Sequence, residues 1–140
     1  MNKHLIFAIL LTTVFVTGCS NGNVPLKGKV TFSDDDSPLT VGTICFENNT
    51  TMARGDLNSD GKFVVGSLRM NDGLPPGTYR VYFTNVIAPM NTNASGRAGG
   101  FEPLVAPKYL RSTTSGLEID VTPTTKDYSI TVERNPKLNP

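Results

Sequence analysis

The sequence predicts an all-β domain, a two-sheet sandwich of seven short strands, set behind an N-terminal leader. Three observations carry this reading. Apolar residues alternate with polar ones over short runs, the pattern of strands with one buried face. Turn-forming clusters separate those runs at regular spacing, as in sandwiches. Gly 13 and Pro 10 in 140 residues, with no Trp, favour a loop-rich β protein over a helical one. The length suits one domain.

The strands follow in order. Leu26, Gly28, Val30 and Phe32 alternate with Lys27, Lys29 and Thr31, which makes residues 26–32 a half-buried strand. The run Ser33-Asp34-Asp35-Asp36-Ser37-Pro38 turns the chain, because Asp and Ser bond their own backbone and Pro presets φ. Residues 41–47 form a second strand with Ile44 and Phe46 inward and Cys45 on the opposite face. A third covers 52–57. After the turn Asn58-Ser59-Asp60-Gly61, a fourth covers 62–68 with Phe63 and Val65 inward. Tyr79, Val81 and Phe83 mark the fifth, 78–85. Leu117, Ile119 and Val121 mark the sixth, and Tyr128, Ile130 and Val132 the seventh. The tail from Asn135 is expected to fray.

The first eighteen residues are different. Lys3 and His4 precede an apolar run, residues 5–16, broken only by Thr12 and Thr13. Such a run fits the hydrophobic part of a secretory signal and is short for a membrane span. It ends in Val16-Thr17-Gly18-Cys19, which resembles the bacterial lipobox. That resemblance implies a diacylglyceryl group on the Cys19 sulfur, cleavage before it, and acylation of the new amine. The competing reading is an ordinary signal peptide with an accidental Cys. Two or more fatty chains, at about 0.8 kcal/mol per buried methylene, hold a protein essentially permanently. Ser20 is not the Asp that retains such proteins at the inner membrane of enteric bacteria, so the resemblance favours the outer membrane. The chain thus divides into a lipoprotein signal peptide (1–18), a lipidated tether (19–25), the sandwich (26–134) with a long loop (86–116), and a tail (135–140).

Several function classes are excluded or weakened. The chain carries 13 Lys and Arg against 12 Asp and Glu. Without Lys3 the balance from Cys19 onward is neutral, which gives no broad electrostatic footprint for nucleic acid or for an anionic membrane surface. The one His lies in the leader, so His-dependent triads and His-bearing zinc sites lack their imidazole. A thioether at Cys19 would leave Cys45 unpaired and read as an inert structural thiol. No catalytic residue, metal site or cofactor beyond the covalent lipid is expected, and the domain reads as non-enzymatic.

Short signatures then carry a family resemblance. Leu26-Lys27-Gly28-Lys29-Val30-Thr31-Phe32, followed by Gly42-Thr43-Ile44-Cys45-Phe46, resembles the opening of carboxypeptidase regulatory-like domains. Asp60-Gly61-Lys62-Phe63 and Pro76-Gly77-Thr78-Tyr79-Arg80-Val81 are similar to their later signatures. Ala106-Pro107-Lys108-Tyr109-Leu110, followed by Ser115-Gly116-Leu117, is similar to a variety found in small lipoproteins of planctomycete bacteria. The resemblance implies a transthyretin-like, seven-stranded Greek-key sandwich in the cell envelope. It implies no shared activity.

Four features could carry chemistry. Asp56-x-Asn58-x-Asp60-Gly61 matches half of a calcium loop, but Leu68 stands where a bidentate Glu belongs; a hairpin turn explains the same residues. Asp34, Asp35 and Asp36 could hold a hard cation or could simply be solvated. Lys27 and Lys29 have outward parity, which disfavours a cross-link from a buried first-strand Lys to the last strand. The loop 86–116 is long enough to be functional. Within it Arg97, Phe101, Lys108, Tyr109 and Arg111 form a candidate contact surface for an envelope protein or glycan. The alternative is that Pro107-Lys108-Tyr109-Leu110 makes one helical turn and packs Tyr109 and Leu110 over a sheet edge.

Overall fold

The computed structural model of the chain describes residues 22–89 and 100–138. The predicted leader, Cys19 and Arg97 lie outside the described residues. The strands are β1 (Lys27–Phe32), β2 (Thr43–Glu47), β3 (Met52–Asp56), β4 (Lys62–Val64), β5 (Gly77–Thr84), β6 (Ile87–Pro89), β7 (Phe101–Pro103), β8 (Leu117–Val121) and β9 (Asp127–Val132). Short 3-10 turns follow at Pro107–Leu110 and Pro136–Leu138.

Seven of these strands form the two facing sheets, in the orders β4-β1-β9 and β3-β2-β5-β8. The all-β sandwich expected from the alternation is therefore the fold. Strand β5 returns to lie beside β2 rather than beside β4, a Greek-key connection. Strand β1 pairs in parallel with β9 from Lys27 opposite Asp127 to Phe32 opposite Val132. The other ladders are antiparallel.

The inner faces follow the period of two. Val30, Phe32, Phe63, Ile130 and Val132 come from one sheet. Ile44, Phe46, Tyr79, Val81 and Phe83 face them from the other, joined by Ile119 and Val121. Each fully buried side chain of this kind contributes about 1.5–3 kcal/mol of transfer free energy. Tyr79 is fully buried and keeps its hydroxyl satisfied by donating to the Pro75 carbonyl at 2.8 Å.

Four expectations need correction. The fourth strand was expected to run to Leu68 but ends at Val64. The amides of Ser67, Leu68 and Arg69 donate to the Asp72 carboxylate, so they are used by a loop cap and not by a ladder. The loop 86–116 contains a two-stranded sheet, β6 with β7, too short to show alternation. The tail does not fray at Asn135, which is buried. Its amide donates to the Leu104 carbonyl at 2.9 Å and its side chain to the Pro103 carbonyl at 2.8 Å. Packing also begins inside the tether range: Val24 is buried and pairs with Leu74.

Gly28 occupies an inward position of β1 for a steric reason. A Cβ there would collide with the Tyr128 carbonyl oxygen and lie 2.7 Å from Cζ of Phe63. Gly28→Ala should therefore destabilise the domain by about 3 kcal/mol, the upper end for overpacking. Lys29→Ala, on the outward face, should fall within about 0.5 kcal/mol of wild type. Urea unfolding of the pair checks this, and equal midpoints would contradict the close β1–β9 approach.

Candidate functional site

Four of the five predicted contact residues lie among the described residues. Phe101 opens β7 and is 68% exposed. Tyr109 is only 6% exposed and joins the core. It is a packing residue, because the 3-10 turn closed by the Tyr109 amide on the Ala106 carbonyl (3.0 Å) packs against β5. Lys108 is ion-paired with Glu133 and sits 4.9 Å from the Tyr109 ring centroid. The hydrogen bond to Glu133 raises the Lys108 pKa. Arg111 is exposed, and its carbonyl accepts the Thr114 and Ser115 amides at 3.2 and 3.0 Å. Lys108, Tyr109 and Glu133 are thus brought together, and Phe101 and Arg111 share no hydrogen bond or ion pair with them among the described residues.

Both acidic stretches are engaged with the protein itself. Arg134 donates from Nε to Asp34 at 2.8 Å and from Nη2 to Asp35 at 3.1 Å and to Ser37 at 3.1 Å. Its guanidinium lies 3.8 Å from the Phe32 ring centroid, a cation–π contact. The Ser37 hydroxyl and amide, then Arg134, hold the Asp35 carboxyl below the usual carboxylate range. An arginine therefore takes the place considered for a hard cation. In the second stretch the Asn58 side chain accepts the Asp60 and Lys62 amides, each at 2.9 Å. Asp56 accepts the Thr43 hydroxyl at 2.8 Å. That is a turn capped by Asn58. Among the described residues no three His, Cys, Asp or Glu side chains are grouped to hold a metal.

Cys45 lies on the outer face of β2, as its parity requires, yet it too is buried. Its sulfur is 3.7 Å from the Thr84 hydroxyl. Burial pushes the thiol pKa up, and the Thr84 and Tyr82 hydroxyls offset this only partly. A protonated, covered thiol is a poor nucleophile.

Around Cys45 the outer faces of the two sheets meet in an open concavity of about 1270 Å³. Lys27, Lys29, Arg54, Lys62 and Arg69 line it, against the acids Asp56 and Asp127. Met52 and Val64 add exposed apolar surface, 57% and 46% accessible. The loop 67–72 forms one wall. Asp72 accepts the Ser67 amide at 2.7 Å, the Arg69 amide at 3.0 Å and the Leu68 amide at 3.2 Å. The capped backbone leaves Leu68 91% and Met70 90% exposed. This loop was missed in sequence because Leu68 reads as the end of a strand. The usable signal was the turn-former cluster Asn71-Asp72-Gly73 just downstream.

No family model matches the sequence, and no curated protein matches it. Among solved structures, two of BcpA, the major pilin subunit of Bacillus cereus, match at 16% and 17% identity with TM-scores of 0.47 and 0.40. Each match covers 81% of this chain and 30% of the pilin. A 9R-lipoxygenase from Cyanothece matches at 16% identity and a TM-score of 0.41, over 88% of this chain and 18% of that one. The chain therefore spans less than a third of each of these proteins.

Two outcomes are expected. The Cys45 thiol should react with a disulfide reagent at neutral pH far more slowly in the native protein than in urea; equal rates would mean the thiol is open. The Asp72 carboxyl is held below the usual carboxylate range, first by the Ser67 amide and then by those of Arg69 and Leu68. A depressed folded pKa stabilises the loop above about pH 4 and loses that contribution as pH falls through the folded value. Amide exchange at Ser67 and Arg69 should therefore accelerate, relative to core amides, on acidification below about pH 4, and in Asp72→Ala at any pH.

Proposed function

We propose that the chain is a lipid-anchored lipoprotein of the bacterial cell envelope. Its β-sandwich acts as a non-enzymatic structural or interaction module of the carboxypeptidase regulatory-like, transthyretin-like kind. The observation that carries this is Val16-Thr17-Gly18-Cys19 at the end of the apolar run 5–16. An aliphatic residue three before a Cys, with small residues between, is what a lipoprotein peptidase and acyl transfer require. The Cys19 sulfur would hold the lipid, and the outer membrane is favoured over the inner by Ser20. Support for the family comes from its turn signatures. Gly61 adopts φ +71 in the Asp60-Gly61 turn, and Pro76-Gly77 opens β5. Support for a non-enzymatic module comes from Cys45, held protonated, and from acids engaged by Arg134 and by backbone amides.

A second reading has one favouring observation, the exposed Phe101 at the mouth of loop 86–116. On that reading the domain captures a small ligand, glycan or cation through this loop. Deleting residues 91–100 separates the two: lost binding of peptidoglycan fragments or calcium, with unchanged melting, would carry the second reading.

Radiolabelled palmitate should enter the wild-type protein and not Cys19→Ala, with the variant leaving the detergent phase. Equal labelling of the two would sink the anchor.

A further inference from the structure

The geometry points to a second membrane contact: the loop 67–72 docks the domain onto the phospholipid surface, with Leu68 and Met70 entering the headgroup–acyl boundary and Arg69 between them at the phosphates. This rests on the lipid anchor proposed above and adds an orientation that the anchor alone does not supply.

Position makes the first argument. The Asn23 side-chain amide donates to the Ser67 hydroxyl at 3.3 Å. Val24 then pairs with Leu74 through bonds of 2.8 and 3.1 Å. The chain therefore enters the fold against the base of this loop. Only four residue steps separate Asn23 from Cys19, a reach of at most about 14 Å when fully extended. A lipid on Cys19 brings the loop to the interface and keeps it there.

Shape and chemistry make the second. Leu68 and Met70 are 91% and 90% exposed, which is costly in water and suits an acyl boundary. The Asp72 cap holds their backbone in place before contact, so little ordering remains to be lost on docking. Charge makes the third. The described domain is near neutral overall, but the concavity beside the loop carries an excess of cations: Lys27, Lys29, Arg54, Lys62 and Arg69 against Asp56 and Asp127. The acidic turn at Asp34 and Asp35 lies at the other end of β1 and is neutralised by Arg134. A basic face beside an apolar loop matches anionic phospholipid headgroups.

The test uses the full-length lipoprotein, in a Cys45→Ser background, with an environment-sensitive fluorophore on Leu68→Cys or Met70→Cys. Ser59→Cys, in the turn at the opposite end of the β1–β4 pair, is the control. The proteins are reconstituted into vesicles of phosphatidylethanolamine and phosphatidylglycerol carrying spin-labelled acyl chains. Emission from positions 68 and 70 should shift to the blue and be quenched several-fold more than from position 59. Replacing phosphatidylglycerol by phosphatidylcholine should reduce the quenching. The mass of the N-terminal fragment is read on the same samples. A lipidated chain with positions 68 and 70 as water-exposed as 59 overturns docking while leaving the anchor intact. An unlipidated chain with water-exposed probes overturns both. Apolar emission in native membranes but not in these vesicles means a protein occupies the loop, and also overturns the proposal.

Discussion

The parallel pairing of β1 with β9 is the constraint on which the rest depends. It makes the first strand of the domain the centre of its sheet, between β4 and β9. It requires Gly28, because a side chain there would strike the Tyr128 carbonyl and the Phe63 ring. It also brings Arg134, just past β9, onto the turn that follows β1, where it caps Phe32 and binds Asp34 and Asp35. Sequence positions about a hundred residues apart are thereby closed into one unit. The terminal strands of many domains are peripheral and can peel away. Here the strand nearest the proposed anchor cannot detach without opening the sheet.

That arrangement bears on the anchor. A lipid on Cys19 would pull on the middle of a sheet through a very short connection, since packing already begins at Val24. Little independent motion of domain and anchor is then available. With such an anchor the face around residues 22–25 and 65–74 would lie towards the membrane, and the Arg134 clamp, at the other end of β1, away from it. Functional surface on the distal side, including the β6–β7 hairpin with its exposed Phe101, would be presented away from the lipid.

The polar chemistry of the domain is largely spent on the backbone. Asp72 caps a loop, Asn58 caps a turn, Asn135 holds the tail, and Thr43 satisfies Asp56. Every buried side-chain nitrogen or oxygen among the described residues has a partner. The candidate ligands Asp34, Asp35 and Asp56 are engaged by Arg134 and Thr43, and hydrogen bonds to a charged group are the stronger ones. In the loop 67–72 the same kind of cap holds two apolar side chains, Leu68 and Met70, outward.

The sequence by itself determined the class of fold, the core and the turns. Alternation with a period of two is a local property, so Val30, Phe32, Ile44, Phe46, Tyr79, Val81 and Phe83 could be assigned inward without knowing their partners. The motif Val16-Thr17-Gly18-Cys19 that carries the proposed anchor is equally local. What the tertiary structure alone decided was everything that depends on residues distant in the chain. Arg134 finds Asp34, Asn135 finds Pro103, and Asn23 finds Ser67. The β6–β7 pairing was hidden because three-residue strands carry no period. Leu68 and Met70 were hidden because their exposure follows from an aspartate cap downstream and from the place where the chain enters the fold. Neither leaves a periodic trace: the cap is a local side-chain-to-backbone turn, and the entry of the chain beside it is long-range packing.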